Sequence, residues 1–319
     1  MDRLDVTEVF ANIRLPGHLH TQSSLHFASN FEFQDTDVLL VTYPKSGTTW
    51  MQEILSLIHS NGNLEPIKTL PNWARAPWLE HSYFQEQLQH IRCPRLLTTH
   101  LPQPVLAPAL KKAKPKVIYV VRNPKDVVVS YYHFQRMAKF FPEPASFEGF
   151  LHDFMAGTVH YGSWFEHVKG WLSCQEELGL FCVTYEELHQ GSAVALLPTG
   201  HGACLLHHLS FASFSSPSPS QDLRYCVEQL SAFLGHPVQP EQSDCILEHC
   251  SFAVMRENLM VNGRLVPPEI MDFQKSQFMR KGIVGDWRNH FSPKQSALFN
   301  ERYQQEMGGH PWPFQWDMD

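Results

Sequence analysis

The chain has 319 residues, 43% of them hydrophobic, so it is long enough to bury one large core or two smaller ones. Its formal net charge is −7. This charge excludes a general nucleic-acid binder, because such domains are usually basic overall. An anionic ligand must therefore be held by a local cluster of donors.

The seven cysteines are scattered along the chain and form no CxxC pair. This pattern predicts reduced thiols and not a disulfide framework. The first fifteen residues lack the apolar stretch of a secretory signal, and no apolar run reaches the roughly 18–20 residues of a membrane span. We therefore expect a soluble cytoplasmic protein with no membrane partner.

The first clear element is the apolar, β-branched run at 38–42, which is typical of a buried parallel strand. A loop with Pro and Gly at 43–49 follows, and residues 50–58 have helical spacing. This order predicts the start of a βαβ unit. Three further strands are predicted, at 95–100, 116–122 and 180–185.

Helices are predicted after the last two of these strands, over 127–137 and from Glu186. The alternation predicts an α/β fold with a mostly parallel central sheet flanked by helices. Ligands of such sheets bind beyond the carboxyl ends of the strands. Four residues with suitable chemistry lie there: Lys45, His100, Arg122 and Tyr185.

Residues 191–221 contain no Asp, Glu, Lys or Arg and end in a Ser/Pro tract. This composition predicts a disordered or looped-out insert, with an amphipathic helix continuing from Asp222. The insert contains a group of potential ligands without the spacing of a known metal site, so we predict no metal there. The group consists of His201, Cys204, His207 and His208.

The loop that ends at Trp50 has features of a phosphate site. Gly47 permits close backbone approach, and the following helix start offers free N–H groups. Lys45 adds a cation, and Thr48 and Thr49 add hydroxyl donors. The GxxxxGK[ST] spacing of a Walker A loop is absent, so an ordinary strand-to-helix turn is the alternative.

Two further regions offer donors for a second phosphate. Arg122 ends a strand and suits a bidentate phosphate contact, although a salt bridge to Asp126 is an equal alternative. Arg280 and Lys281 precede a glycine and predict an anion nest, with an exposed basic pair as the commoner alternative. His100 ends an apolar strand before Leu-Pro and is our candidate base, with a buried structural histidine as the alternative.

These stretches together resemble the cytosolic sulfotransferase family, in order and over nearly the whole chain. The matching segments are TYPKSGTTW at 42–50, RAPWLE at 75–80, THLP at 99–102, VVRNPKDVVVSYYHF at 120–134, YGSWFEHVKGWL at 161–172, TYEEL at 184–188 and FMRKGIVGDWRNHF at 278–291. The resemblance implies one domain over 1–319 with a five-stranded parallel sheet. It also implies sulfuryl transfer from 3′-phosphoadenosine-5′-phosphosulfate (PAPS) to a small acceptor, with PAP as product and no metal.

The resemblance also implies roles for individual residues. His100 would be the catalytic base, and Lys45 would stabilise the leaving group. The 5′-phosphosulfate would be held by Lys45, Ser46, Gly47, Thr48, Thr49 and Trp50. The 3′-phosphate would be held by Arg122, Ser130, Arg280, Lys281 and Gly282. The adenine would be contacted by Tyr185, Phe252 and Met255. The remaining cofactor-binding residues would be Cys250 in the nucleotide wall and Ser251, Phe278 and Met279. The acceptor pocket would include Trp78 and Phe134.

The sequence departs from the family at four places. Thr98 stands where many members have Lys, Cys250 replaces a usual Thr, and 191–221 has no counterpart. The family's dimer motif is degraded, which puts the family's homodimer in doubt. The remnant of the motif consists of Arg288, Ser292, Pro293 and Ala297. The alternatives are an isoform impaired by the insert and a P-loop kinase.

Overall fold

The computed structural model describes residues 3–91, 94–190 and 219–309, together with 312, 314 and 316–319. The predicted insert and its His/Cys group thus lie almost wholly outside the described residues. The strands are β1 (Thr7–Phe10), β2 (Ile13–Pro16), β3 (Val38–Thr42), β4 (Leu96–Thr99), β5 (Lys116–Val121) and β6 (Phe181–Thr184).

Helices precede and connect the strands of the larger sheet. The first eight are α1 (Gln22–Ser29), α2 (Thr48–His59), α3 (Glu65–Thr69), α4 (Asn72–Arg75), α5 (Gln85–His90), α6 (Gln103–Leu110), α7 (Pro124–Met137) and α8 (Phe147–Ala156). The others are α9 (Trp164–Leu172), α10 (Gln175–Leu178), α11 (Tyr185–Gln190), α12 (Pro219–Leu234), α13 (Pro240–His249), α14 (Phe252–Glu257) and α15 (Pro293–Met307). Short 3₁₀ helices lie at Ser82–Phe84 and Asp286–Asn289.

The central sheet is parallel, with strand order β4-β3-β5-β6. The chain runs from β3 outward to β4 and then crosses back to β5 on the other side of β3. The order therefore reverses beside β3, and such a switch point opens a crevice at the carboxyl ends of the strands. This confirms the predicted α/β class.

The five strands implied by the family resemblance are not all present: in the described part of the chain the parallel sheet has four. Beyond β4, residue Trp78 forms only an isolated parallel bridge with Thr98. Pro77 accepts a bond from the Thr98 N–H, and Leu79 donates one to Thr98. Because proline has no N–H to donate, this edge segment does not extend the ladder.

Alternate residues of the strands face two separate apolar cores. Leu39, Val117 and Tyr119 pack on one face, against α1, α6, α7, α8, α9 and α15. Leu40 and Ile118 pack on the other face, against α2, α11, α12, α13 and α14. Burial on both faces explains why the strands read as continuous apolar runs.

Two local features differ from the predictions. The helix expected from Val127 begins at Pro124, because the Asn123 side chain accepts a bond from the Lys125 N–H and proline suits the first helical turn. The β1–β2 hairpin was not predicted. Its turn residues Ala11 and Asn12 have φ of 48° and 63°, a left-handed pair that Asn tolerates.

No helix among the described residues is both long and apolar enough to cross a membrane. The cysteines that the structure describes are all free thiols, as the sequence predicted.

Candidate active site

A cavity of about 900 Å³ opens at the carboxyl ends of the strands. Every residue of the predicted site except Ser46 lines it. Ser46 belongs to the same loop but is fully buried, and its hydroxyl has no hydrogen-bond partner among the described residues. The fold therefore brings the predicted site residues to one place, while their individual roles stay predictions.

The loop between β3 and α2 turns sharply into the helix. Lys45 and Gly47 both have left-handed backbone conformations, with φ of 68° and 108°. A Cβ at Gly47 would lie 2.8 Å from the ring of Tyr185, so this position requires glycine. Gly47 is the N-cap of α2, and the cap makes no side-chain hydrogen bond. The first residues of this twelve-residue helix line the cavity, so its N-terminal N–H groups lie beside it.

The Lys45 ammonium lies between two aromatic rings. Its Nζ is 4.3 Å from the centroid of Phe134 and 4.6 Å from that of Phe278. Burial, reinforced by repulsion from Arg122 and Arg280, lowers the pKa of Lys45 to about 7. An anion placed here would restore the charged form, so the site favours anionic ligands.

Arg122 at the end of β5 is 7% exposed. Its guanidinium donates to the carbonyls of Lys45 (3.1 Å) and Ile283 (3.3 Å) and stacks 4.0 Å above Tyr185. The Arg122 Nε has no partner among the described residues. The alternative pairing with Asp126 is not formed, because that carboxylate instead accepts the N–H groups of Gly285 and Trp287.

Arg280 and Lys281 are held at the cavity rim by one buried carboxylate. Arg280 Nη1 and Lys281 Nζ each lie 2.6 Å from an oxygen of Asp286. Burial alone would raise the pKa of Asp286, but hydrogen bonds from Lys281, Asn289 and Arg280 hold it well below its usual range. The pair is therefore a fixed cationic group and not a mobile surface pair.

An aromatic cleft lies beside these cations. The ring centroid of Trp50 is 5.6 Å from that of Tyr185 and 4.8 Å from that of His189. His189 was not among the predicted site residues. It lies four residues after Tyr185 on α11, and this spacing puts both side chains on one helix face.

His100 is buried at the end of β4, with 9% of its surface exposed. Its Nδ1–H donates to the Thr42 carbonyl at 2.7 Å, which leaves Nε2 as the proton acceptor. Its backbone N–H donates to Glu80 Oε1 at 2.8 Å. Burial lowers the pKa of His100 to about 3, so the imidazole is neutral in the free protein.

The half of the cavity that is predicted to bind the acceptor is mainly aromatic. Trp78, predicted from the sequence, lies 4.3 Å from His100 between ring centroids. Most of the aromatic residues of this half were not predicted from the sequence, because they come from separate segments that share no motif. The missed residues are His18, His81, Tyr83, Phe84, Phe140, Phe141 and Tyr161.

The two substitutions predicted to affect the site differ in position. Thr98 is fully buried and does not line the cavity, because its hydroxyl donates to Ala76 O (2.9 Å) and accepts from Gln52 (3.0 Å). Cys250 is also fully buried but does line the cavity wall.

At the carboxyl ends of a parallel sheet, one cavity brings together cationic clusters and a buried neutral histidine, an arrangement typical of an enzyme that transfers a group from an anionic donor. The family model described as the sulfotransferase domain matches residues 35–194 and 220–311. The chain therefore belongs to the sulfotransferase family, as its motifs predicted. The model leaves 195–219 unmatched, and this stretch lies within the predicted insert.

Named relatives agree with this assignment. Human sulfotransferase 2B1 is 37% identical over 97% of this chain and 76% of its own. The guinea pig (Cavia porcellus) 3-beta-hydroxysteroid sulfotransferase is 37% identical over 88% of this chain and 87% of its own. The crystal structure of mouse SULT7A1 complexed with PAP matches with a TM-score of 0.71 and 26% identity, covering 95% of this chain and 94% of that one.

Proposed function

We propose that this protein transfers the sulfuryl group of PAPS to the hydroxyl or amine of a small apolar acceptor. One observation carries the proposal: the buried, neutral His100 lines the same cavity as the cationic loop at Lys45. A base and an anion site in one cavity are what transfer to a hydroxyl requires. The cytoplasmic location predicted from the sequence is part of this proposal.

The residues present fit the nucleotide. Arg122 Nε and Trp50 Nε1 are buried and have no hydrogen-bond partner in the described chain, and Gly282 lets the Phe252 ring pack closely on the backbone, where a Cβ would lie 2.2 Å from that ring. Lys45 to Trp50 would hold the 5′-phosphosulfate. The second phosphate would be held by Arg122, Ser130, Arg280, Lys281 and Gly282. The adenine would be contacted by Tyr185, Phe252 and Met255, and the other cofactor-binding residues would be Cys250, Ser251, Phe278 and Met279.

PAPS supplies the sulfuryl group when it is bound, and the side chains of this chain supply the rest. His100 Nε2 takes the proton of the acceptor hydroxyl. The Thr42 carbonyl, which accepts the Nδ1–H, keeps the required tautomer and stabilises the imidazolium that forms. The Lys45 ammonium provides positive charge where negative charge develops, an effect worth a few kcal/mol.

The acceptor half favours apolar ligands with a flat or ring-shaped skeleton. Its walls are aromatic side chains, including Trp78 and Phe134 beside the base and the cation. Relatives include an enzyme named for 3-beta-hydroxysteroids. Phenols, alcohols and steroids are therefore the proposed acceptors.

The two alternative functions receive less support. The P-loop kinase alternative lacks support, because the match to the sulfotransferase domain covers most of the chain. An isoform impaired by the insert also lacks support among the described residues, since Lys45, His100 and Arg122 line the cavity together. The family match also resumes directly after the unmatched stretch.

The proposal is tested by incubating the purified chain with PAPS labelled on sulfur and a panel of phenols, alcohols, steroids and amines. We expect a labelled sulfate ester or sulfamate with at least one acceptor, and saturable binding of PAP. PAP binding without transfer to any acceptor would support the impaired isoform. Failure to bind PAP would overturn the proposed site.

A further inference from the structure

Three buried polar side chains meet behind the acceptor half of the cavity. His20 and Glu80 are fully buried and His81 is 8% exposed. One potential ligand atom from each of these residues lies within 4.8 Å of the other two. The three come from two distant segments, the loop before α1 and the segment before the Ser82–Phe84 helix.

Each of the three residues keeps one polar atom unused. His20 Nε2, Glu80 Oε2 and His81 Nε2 are buried and have no hydrogen-bond partner among the described residues. The other polar atoms of His20 and Glu80 are fixed. His20 Nδ1–H donates to Pro16 O at 2.9 Å, and Glu80 Oε1 accepts the His100 N–H at 2.8 Å. This leaves a lone pair on His20 Nε2, the arrangement found in metal-binding histidines.

We propose that His20, Glu80 and His81 bind one divalent transition-metal ion, with Zn²⁺ as the best match. Two imidazoles and a carboxylate are an established donor set for zinc, with a fourth position for water. Zinc–ligand bonds of about 2.0–2.2 Å put the donor atoms about 3.4 Å apart, so the side chains need to move by about 1 Å. No Lys or Arg of the described chain forms an ion pair with Glu80. The bound cation would therefore be the positively charged partner of this buried carboxylate.

The ion has a structural role that is separate from sulfuryl transfer. His81 stacks between the rings of Trp78 (5.0 Å) and Phe84 (6.1 Å), which line the acceptor half of the cavity. A bound ion joins this wall to His20 in the N-terminal loop. Its presence therefore stabilises the folded protein and fixes the acceptor wall.

The test is titration of metal-free full-length protein with Zn²⁺ by calorimetry, together with Co²⁺ absorption spectroscopy and thermal unfolding. We expect one tight site, visible d–d bands of a four- or five-coordinate centre, and a rise of about 5 °C in Tm at a hundredfold excess over Kd. His20→Ala and Glu80→Gln should each weaken binding at least tenfold and remove the bands. His152→Ala, which changes an exposed histidine, is the matched control.

A second variant separates this site from the His/Cys group of the insert. Replacement of His201, Cys204, His207 and His208 by Ala should leave binding, bands and the Tm rise unchanged, and loss of the tight site in that variant would overturn the proposal. Tight binding that persists in His20→Ala would do the same. If the buried-site variants fail to fold, the Tm rise and Co²⁺ bands of the insert variant decide, and their absence refutes the site.

Discussion

Lys45 combines a left-handed backbone with a side-chain nitrogen enclosed by two phenyl rings. Burial and the neighbouring cations lower its pKa to about 7, so it is only partly charged at neutral pH in the free protein. A bound anion stabilises the charged form. Binding therefore couples to protonation of this one side chain.

This coupling predicts a pH dependence of PAP affinity. Lys45 carries its charge below its pKa and loses it above, so wild-type affinity should fall between about pH 7 and 9, by up to tenfold per unit. The phosphates, with a second pKa of about 6, are already ionised in this range and do not contribute. Calorimetry across the pH range measures the effect.

Lys45→Met isolates the contribution of the lysine. This variant should bind PAP roughly 10 to 100-fold more weakly at pH 7, the value of a charge-assisted contact. Its affinity should also be nearly flat between pH 7 and 9. A profile in the variant as steep as that of the wild type would show that another group titrates.

Gly282 predicts a sharp effect of one methyl group. Its φ is +65°, and a Cβ would lie 2.2 Å from the Phe252 ring, which lines the proposed nucleotide site. Gly282→Ala should therefore displace that ring and weaken PAP binding at least tenfold. Gly309→Ala is the control, because Gly309 has φ of +86° and nothing within 4 Å of a Cβ. Equal affinity of both variants would show that Phe252 does not contact the ligand.

At the scale of elements, the site depends on a loop that has no regular structure of its own. The segment 278–285 is fastened to α7 by Asp126, whose carboxylate accepts the N–H groups of Gly285 (2.7 Å) and Trp287 (2.9 Å). The Asp286 carboxylate in turn forms ion pairs with Arg280 and Lys281 and holds both side chains in place. Two buried carboxylates thus position the second set of predicted phosphate donors.

Asp126→Ala should loosen this loop. The substitution leaves two N–H groups without their acceptor, which predicts a loss of about 2–4 kcal/mol in the free energy of unfolding. PAP affinity should fall as well, because Arg280 and Lys281 lose their fixed position. Denaturant unfolding and calorimetry measure the two effects. Asp126→Asn retains one acceptor oxygen and should lie between wild type and Asp126→Ala. Unchanged stability in Asp126→Ala would contradict the account of the loop.

The elements that carry motifs were the ones the sequence could predict. The β3 run at 38–42 matches its prediction residue for residue, since a strand buried on both faces is a continuous apolar run. The acceptor wall could not be predicted, because His18, Tyr83 and Phe141 meet only through tertiary packing. Asp126 illustrates the same limit. From the sequence, a salt bridge to Arg122 was one of two alternatives for it, but its partners lie about 160 residues away.

At the scale of the whole molecule, the family match is interrupted at 195–219 and resumes at 220. The helices on either side, α11 and α12, pack against each other, so the fold is continuous across the interruption. The single domain over 1–319 stays a prediction from the sequence. The degraded dimer motif at 288–297 puts the family's dimer mode in doubt, and this point stays a prediction.

Deletion of 195–219 should leave Tm unchanged or raise it. A shorter connection lowers the entropic cost of closing the loop, by about 0.6 kcal/mol for each halving of its length. The variant should also keep PAP affinity within about threefold. Thermal unfolding and calorimetry provide both values. A large drop in Tm would show that these residues are part of the packed fold.

The central claim is that His100 acts as the base in a sulfuryl-transfer site. The most direct measurement compares turnover with labelled PAPS for the wild type, His100→Ala and the exposed-histidine control His152→Ala, with PAP affinity measured in parallel. We predict that His100→Ala lowers kcat by about 10²–10⁴-fold while its PAP affinity stays within threefold of wild type, and that the control matches wild type. Equal turnover in His100→Ala and wild type would contradict the account.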